Sequence, residues 1–233
     1  MSHRQHRLAF QARDRRRSLS TRPRAHARTS APRSQDTAPA RRAKVPHRAR
    51  PAHCARHPLH VTLRMAPGLP SLRSHHAHRE LRDALRAGAE RFGFRVVHYG
   101  ALSNHVHLVC EAEDGRALSR GLKGLAVRLA RALNRVWKRR GALLADRYHA
   151  RALATPREVR NVLAYVLNNA RRHGLDVRGL LDPCSSAVLF DGWREVHSGS
   201  ATTWLARART WLLAIGWRRH GPISVHERPG GRR

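Results

Sequence analysis

Residues 94–110, FRVVHYGALSNHVHLVC, decide the fold. Phe94 to Tyr99 and His105 to Cys110 are both rich in β-branched and aromatic residues, and only Gly100 to Asn104 separates them. Two such runs so close together predict an antiparallel hairpin. Side chains on a strand alternate between its faces. His105 and His107 therefore share one face of the second strand, and Val106 and Leu108 turn to the other, into the core.

Working outward on the N-terminal side, Leu59-His60-Val61-Thr62-Leu63-Arg64-Met65 alternates apolar and polar, as a half-buried strand does. Pro67-Gly68-Leu69-Pro70 ends it. Glu80 to Phe92 places Leu81, Ala84, Leu85 and Ala89 at helical spacing, with Gly93 as the stop. On the C-terminal side, Ala117 to Arg139 predicts a long basic amphipathic helix. Leu118, Leu122, Leu125, Leu129 and Leu133 form its apolar stripe, and Gly141 ends it. Leu143 to Leu153 reads as a strand or short hairpin. Thr155-Pro156-Arg157-Glu158 is a strong helix start: a threonine cap, proline at the first helical position and glutamate closing a capping box. That helix runs through Val159, Val162, Leu163, Val166 and Leu167 towards Gly174. The order β-α-β-β-α-β and then a helix predicts an α+β fold, the ferredoxin-like split β-α-β arrangement with an antiparallel sheet, followed by a tyrosine-bearing helix. The pattern covers residues 57–181.

Charge narrows the function. Lys+Arg number 47 against 15 Asp+Glu, a net +32. A chain this basic repels itself unless a polyanion neutralises it, and nucleic acid is the leading polyanion. No apolar run reaches the ~18 residues that would span a bilayer, so no membrane role is expected. Residues 1–56 hold sixteen Arg or Lys but only Asp14 and Asp36 as acids. They read as a disordered basic arm, either a phosphate tether or a solvated tail. Cys54, Cys110 and Cys184 are scattered, which argues against a zinc ribbon or a disulfide scaffold. With no secretory signal either, a cytoplasmic, nucleoid-associated location is expected. Residues 182–233 form an Arg/Trp-rich extension. Thr202 to Ile215 reads as a short helix, and Trp204, Trp211 and Trp217 read as packing residues in preference to base-stacking ones.

The chemistry concentrates at two places. Two imidazoles on one strand face can hold one metal ion between them, although H-x-H alone is a weak signal among 18 histidines. In Tyr165-Val166-Leu167-Asn168-Asn169, Tyr165 and Asn169 are four apart and share a helix face. A phenol there can act as a nucleophile, and the amide oxygen one turn later can complete a metal site. Together, His105-Val106-His107 resembles the HUH motif, two histidines flanking a bulky apolar residue. Tyr165 to Asn169, followed by Ala170-Arg171-Arg172-His173-Gly174-Leu175, resembles the tyrosine helix of the single-tyrosine HUH transposases of the IS200-like and REP-associated families. Arg147-Tyr148-His149-Ala150-Arg151 is similar to the strand before that helix. The resemblance spans about residues 57–181, and it departs from some members in having Asn169 where they carry Gln.

The resemblance implies a metal-dependent DNA-cleaving and rejoining transposase. Tyr165 would form a 5′-phosphotyrosine, and His105, His107 and Asn169 would hold Mg²⁺ or Mn²⁺. Two imidazoles favour Mn²⁺ over the oxygen-seeking Mg²⁺. The implied partner is single-stranded or hairpin DNA, and the family includes both monomers and homodimers. Lys123, Arg128, Arg131, Arg135, Lys138 and Arg139 on the long helix are candidate phosphate contacts, as are Arg171 and Arg172 after the tyrosine. Alternatives are a non-catalytic nucleic-acid binder, such as a domesticated transposase, and an HUH relaxase or replication initiator. The chain has no G-x-x-x-x-G-K-[ST] loop of the kind an attached helicase would bring.

Overall fold

In the computed structural model, Leu59–Arg64 forms strand β1, and its alternation is the predicted one. Leu59, Val61 and Leu63 are buried on one side, and His60 and Thr62 face the other. The elements that follow are helix α1 (His75–Gly88), β2 (Glu90–Arg91), β3 (Phe94–Ala101), β4 (His105–Ala112), α2 (Gly115–Val136), β5 (His149–Ala152), α3 (Pro156–Arg172) and α4 (Trp211–Ala214). Two short 3₁₀ turns, Ser186–Leu189 and Gly216–His220, flank α4. The described residues are 52–175, 177, 179–196 and 203–228. The predicted basic arm over 1–56 lies almost wholly outside them.

The sheet is antiparallel throughout, in the order β2-β3-β4-β1-β5. With the two-residue β2 set aside, this is the split β-α-β order predicted from sequence. Each face carries its own core. On one face, α1 and α2 cover Val61, Leu63, Phe94, Val96, Val106 and Leu108. On the other, α3 covers Val97 and Val109. His60, Thr62, His105 and His107 share this second face with Val109, because all have the same strand parity. None of the described helices is long and apolar enough to cross a membrane.

The structure moves several predicted boundaries. Helix α1 begins five residues before Glu80, its first turn hidden by the polar His75, His76 and His78. It stops at Gly88, because Phe92 (φ 52°) and Gly93 (φ 76°) form a two-residue turn that folds Glu90–Arg91 back on β3. Gly93 thus marks a hairpin and not a helix end. Helix α2 ends at Val136, short of Arg139, where Lys138 takes a left-handed φ of 47°. Between Leu143 and Leu153 only His149–Ala152 is strand, with one further bridge from Leu144 to Met65. The helix expected over Thr202–Ile215 is a single turn, Trp211–Ala214, and Thr202 lies outside the described residues.

The start of α3 is as predicted. Thr155 accepts from the Glu158 amide, and the Glu158 carboxylate accepts from the Thr155 amide. The helix is buried beyond a single stripe, from Val159 to Ala170. The reason is the C-terminal segment, which packs Phe190, Trp193, Leu212, Trp217, Ile223 and Val225 onto it. Each of the apolar residues Val159, Val162, Leu163, Val166 and Leu167 contributes about 1.5–3 kcal/mol by leaving water. Polar clamps fix the contact. The Asn168 amide donates to the Ser224 and Glu227 carbonyls at 3.0 and 3.1 Å, and Arg160 makes a two-pronged pair with Glu227. Trp217 is buried and Trp204 partly so, as predicted, but Trp211 is exposed.

Candidate active site

Strand register brings the site together. Thr62 pairs with His107, Arg64 with His105, and Gly100 of β3 lies on the other side of His107. Helix α3 crosses over these positions. A Cβ on Gly100 would sit closer than 3.0 Å to the Val166 carbonyl oxygen, so glycine alone permits this approach. Val166 adjoins Tyr165, and the approach sets the Tyr165 phenol oxygen 3.4 Å from His107 Nε2. The His107 and Tyr165 rings meet edge to face with centroids 5.0 Å apart, and His105 lies against His107 at 4.7 Å.

His107 is held from behind. Its Nδ1 lies 3.1 Å from both Thr62 Oγ1 and His60 Nε2. With the proton on Nδ1 donated to that pair, the Nε2 lone pair faces the phenol. Burial, reinforced by His60, His105 and His173, lowers the His107 pKa to about 3. Burial, with help from Arg151 and His149, lowers His60 to about 4. His105 is lowered too, by burial first and then by His173 and Arg64. The imidazoles are therefore neutral near pH 7, the state in which a histidine can ligate a metal.

Asn169, one turn beyond Tyr165, is 2% exposed. Both its amide nitrogen and its amide oxygen are buried without a hydrogen-bond partner. Buried polar groups are nearly always paired, so an orphaned amide one turn beyond Tyr165 fits a site completed by an ion or water. Among the described residues, no three His, Cys, Asp or Glu side chains converge as a metal-binding group. The candidate donors from sequence are the two imidazoles of His105 and His107 and the Asn169 amide.

Tyr165 and His60 line a cleft of about 870 Å³ together with Arg151, Arg160, Arg172 and Arg194, among others. The Arg172 guanidinium sits 5.5 Å from the centre of the Tyr165 ring. Arg171, the other candidate on this helix, donates to the carbonyls of Gly179 and Leu180 at 2.9 and 2.7 Å. Lys123, Arg128, Arg131 and Arg135 lie on α2, and Lys138 and Arg139 on the turn after it. This layer is across the sheet from Tyr165. Arg135 there pairs with Glu80, and Arg139 bonds the Asn134 side chain.

Sequence reasoning missed His60, Thr62, Arg151, Arg160 and Arg194. The alternation of β1 held a clue to the first two, because it sets His60 and Thr62 on one face. Nothing local in the sequence signals the rest, which reach the cleft only through tertiary contact.

No protein-family model and no curated protein matches the sequence. Among the solved structures that match this chain in part are the following two. A REP-associated tyrosine transposase bound to a REP hairpin aligns at 15% identity over 55% of this chain and 75% of that one, with a TM-score of 0.46. A crystal structure of a putative transposase from Deinococcus radiodurans R1 aligns at 19% identity over 42% of this chain and 78% of that one, with a TM-score of 0.36.

Proposed function

We propose that the protein is a metal-dependent, transposase-type enzyme that cleaves and rejoins single-stranded DNA, with Tyr165 as its nucleophile. The observation that carries this reading is the Tyr165 phenol oxygen, 3.4 Å from His107 Nε2, with the orphaned Asn169 amide one turn further along the same helix. The resemblance in the HUH and tyrosine-helix motifs points the same way.

His105, His107 and Asn169 would hold the divalent ion, Mn²⁺ or Mg²⁺. When bound, the ion polarises the scissile phosphate and offsets its developing charge. His60 and Thr62 fix the His107 ring and keep Nε2 directed forward. Arg172 and the cleft arginines Arg151 and Arg194 bind and orient the strand through its phosphates. The Tyr165 oxygen attacks phosphorus, and a P–O bond to the phenol forms as the P–O3′ bond breaks. The phenol gives up its proton to solvent and the departing 3′ oxygen takes one up, so the proton count is unchanged. Phosphoester bonds are conserved, so the 3′-hydroxyl can later attack the phosphotyrosine and rejoin a strand with no external energy source.

A non-catalytic nucleic-acid binder is the second reading. It is favoured by the cationic layer of α2, which lies across the sheet from Tyr165. One experiment separates them. Full-length protein is incubated with end-labelled single-stranded hairpin DNA and Mn²⁺, then run in SDS. The enzyme reading expects an SDS-resistant adduct that Tyr165→Phe abolishes while DNA binding persists. Binding without an adduct, or an adduct undiminished in Tyr165→Phe, overturns it.

A further inference from the structure

Glu111 lies four residues beyond His107 on β4, about 13 Å along the strand, and is fully buried. Four donor groups converge on its carboxylate: Arg95 Nε, the amides of Arg209 and Thr210, and the Thr210 hydroxyl. A buried carboxylate so completely paired is a rigid anchor. It fastens residues 209–210 to the sheet and fixes where the next residue, Trp211, emerges.

Trp211 is 46% exposed, whereas Trp193 and Trp217 are almost completely covered. Its indole rests on the backbone of Gly216, where an added Cβ would come within 2.7 Å of a ring carbon. The Arg219 guanidinium lies 4.8 Å from the ring centre. Beside the indole is a cavity of about 540 Å³, lined by Arg56, His57, Arg95, Arg209, Trp211 and Leu212, among others. Arg95 and Arg209 have carboxylate partners in Glu111, Glu113 and Glu90. Among the described residues, Arg56 and Arg219 have none within ion-pair distance.

We propose that this cavity binds one unpaired nucleotide of single-stranded DNA, with its base against the Trp211 indole and its phosphate on Arg56. The half-exposed indole, with the Arg219 guanidinium over its ring, lines the cavity, and stacking of a base on such an aromatic tolerates every sequence. The surrounding cations are arginines, which suit phosphate, and the chain as a whole is a strong polycation. The cavity volume lies within the ~300–1,000 Å³ range of small-ligand clefts. An acidic peptide would use the cations and leave the indole idle. The site does not depend on Tyr165 chemistry, so it can be tested by binding alone.

The test uses the full-length protein and fluorescently labelled oligo(dT), with anisotropy measured across a salt series and thermal unfolding measured in parallel. Trp211→Leu is expected to weaken binding about 5- to 150-fold, the range for one stacked base. Trp211→Phe keeps a stacking ring and is expected to recover most of the loss. Arg56→Gln is expected to reduce the slope of log affinity against log salt by about 0.7, the value for one phosphate on a single strand. A fully paired duplex should be indifferent to Trp211→Leu. Unchanged oligo(dT) affinity in Trp211→Leu overturns the proposal, as does an equal loss for duplex. So does a Trp211→Leu loss of the same size for a poly-glutamate peptide or for anionic vesicles. If the leucine variant unfolds early, the phenylalanine and Arg56→Gln variants decide alone: weakened binding in Trp211→Phe together with an unchanged salt slope in Arg56→Gln counts against it.

Discussion

Gly100→Ala tests how the tyrosine reaches the histidines. The new methyl would overlap the Val166 carbonyl oxygen, part of the α3 backbone, which cannot swing aside as a flexible side chain could. Restoring an ordinary C···O contact of about 3.3 Å moves the helix off the sheet by roughly 1 Å. Overpacking of this kind costs about 1–3 kcal/mol. For a chain of this size, that lowers Tm by about 2–12 °C. The phenol moves with the helix, so its 3.4 Å separation from His107 Nε2 widens by a similar amount. Under the proposed mechanism, misplacing the attacking phenol by about 1 Å slows chemistry about 100-fold. Differential scanning fluorimetry reads the first effect. The initial rate of SDS-resistant adduct formation, per folded molecule, reads the second. A wild-type Tm would refute the claimed close approach. A lowered Tm with an unchanged rate would refute the link between that approach and the placing of Tyr165.

Asn169→Leu removes two unpaired buried polar atoms, each costing about 1–3 kcal/mol while unpaired. Without metal the variant should be at least as stable as wild type, and a Tm rise with Mn²⁺, expected for wild type under the proposed function, should be absent from the variant; a less stable metal-free variant contradicts the orphaned amide. Acid should destabilise the fold through its buried histidines. Burial lowers His60 and His98 to about 4 and His107 to about 3, from 6.5. Between those values the unfolded chain binds protons that the native state refuses. Stability is thus full above pH 6.5 and falls as pH drops towards 4, by about 1.4 kcal/mol per pH unit for each histidine. Urea unfolding between pH 7.5 and 5 measures the slope, and a flat profile would contradict the burial. Arg73 and Asp182 make a bidentate, nearly buried pair at 2.9 Å. Asp182→Ala leaves the guanidinium unpaired and should cost about 3–5 kcal/mol by chemical unfolding; a loss below 1 kcal/mol would mean the pair is effectively solvated.

Much of this protein is written in local patterns. The alternation of Leu59–Arg64, the hairpin through Gly100–Asn104 and the Thr155–Glu158 capping box are set by neighbouring residues. Each appears in the structure close to where the sequence puts it. The shared faces of His105 with His107 and of Tyr165 with Asn169 follow from strand and helix periods alone. The start of α1 was illegible because polar histidines fill its first turn, and its end because Gly93 serves a turn that the sequence cannot tell from a helix stop.

What only the tertiary structure decided is which surfaces meet. It put α3 on the His107 face and α2 on the opposite one, so the most basic helix and Tyr165 ended up in different layers. It backed His107 with His60 and Thr62, packed Phe190, Trp193, Leu212, Trp217 and Val225 onto α3, and buried Glu111 under Arg209 and Thr210. Periodicity states how much of an element is apolar and on which side. The partner for that side is chosen by the packing of contacts distant in the chain, and these arise from the global competition to exclude water and pair every buried polar group.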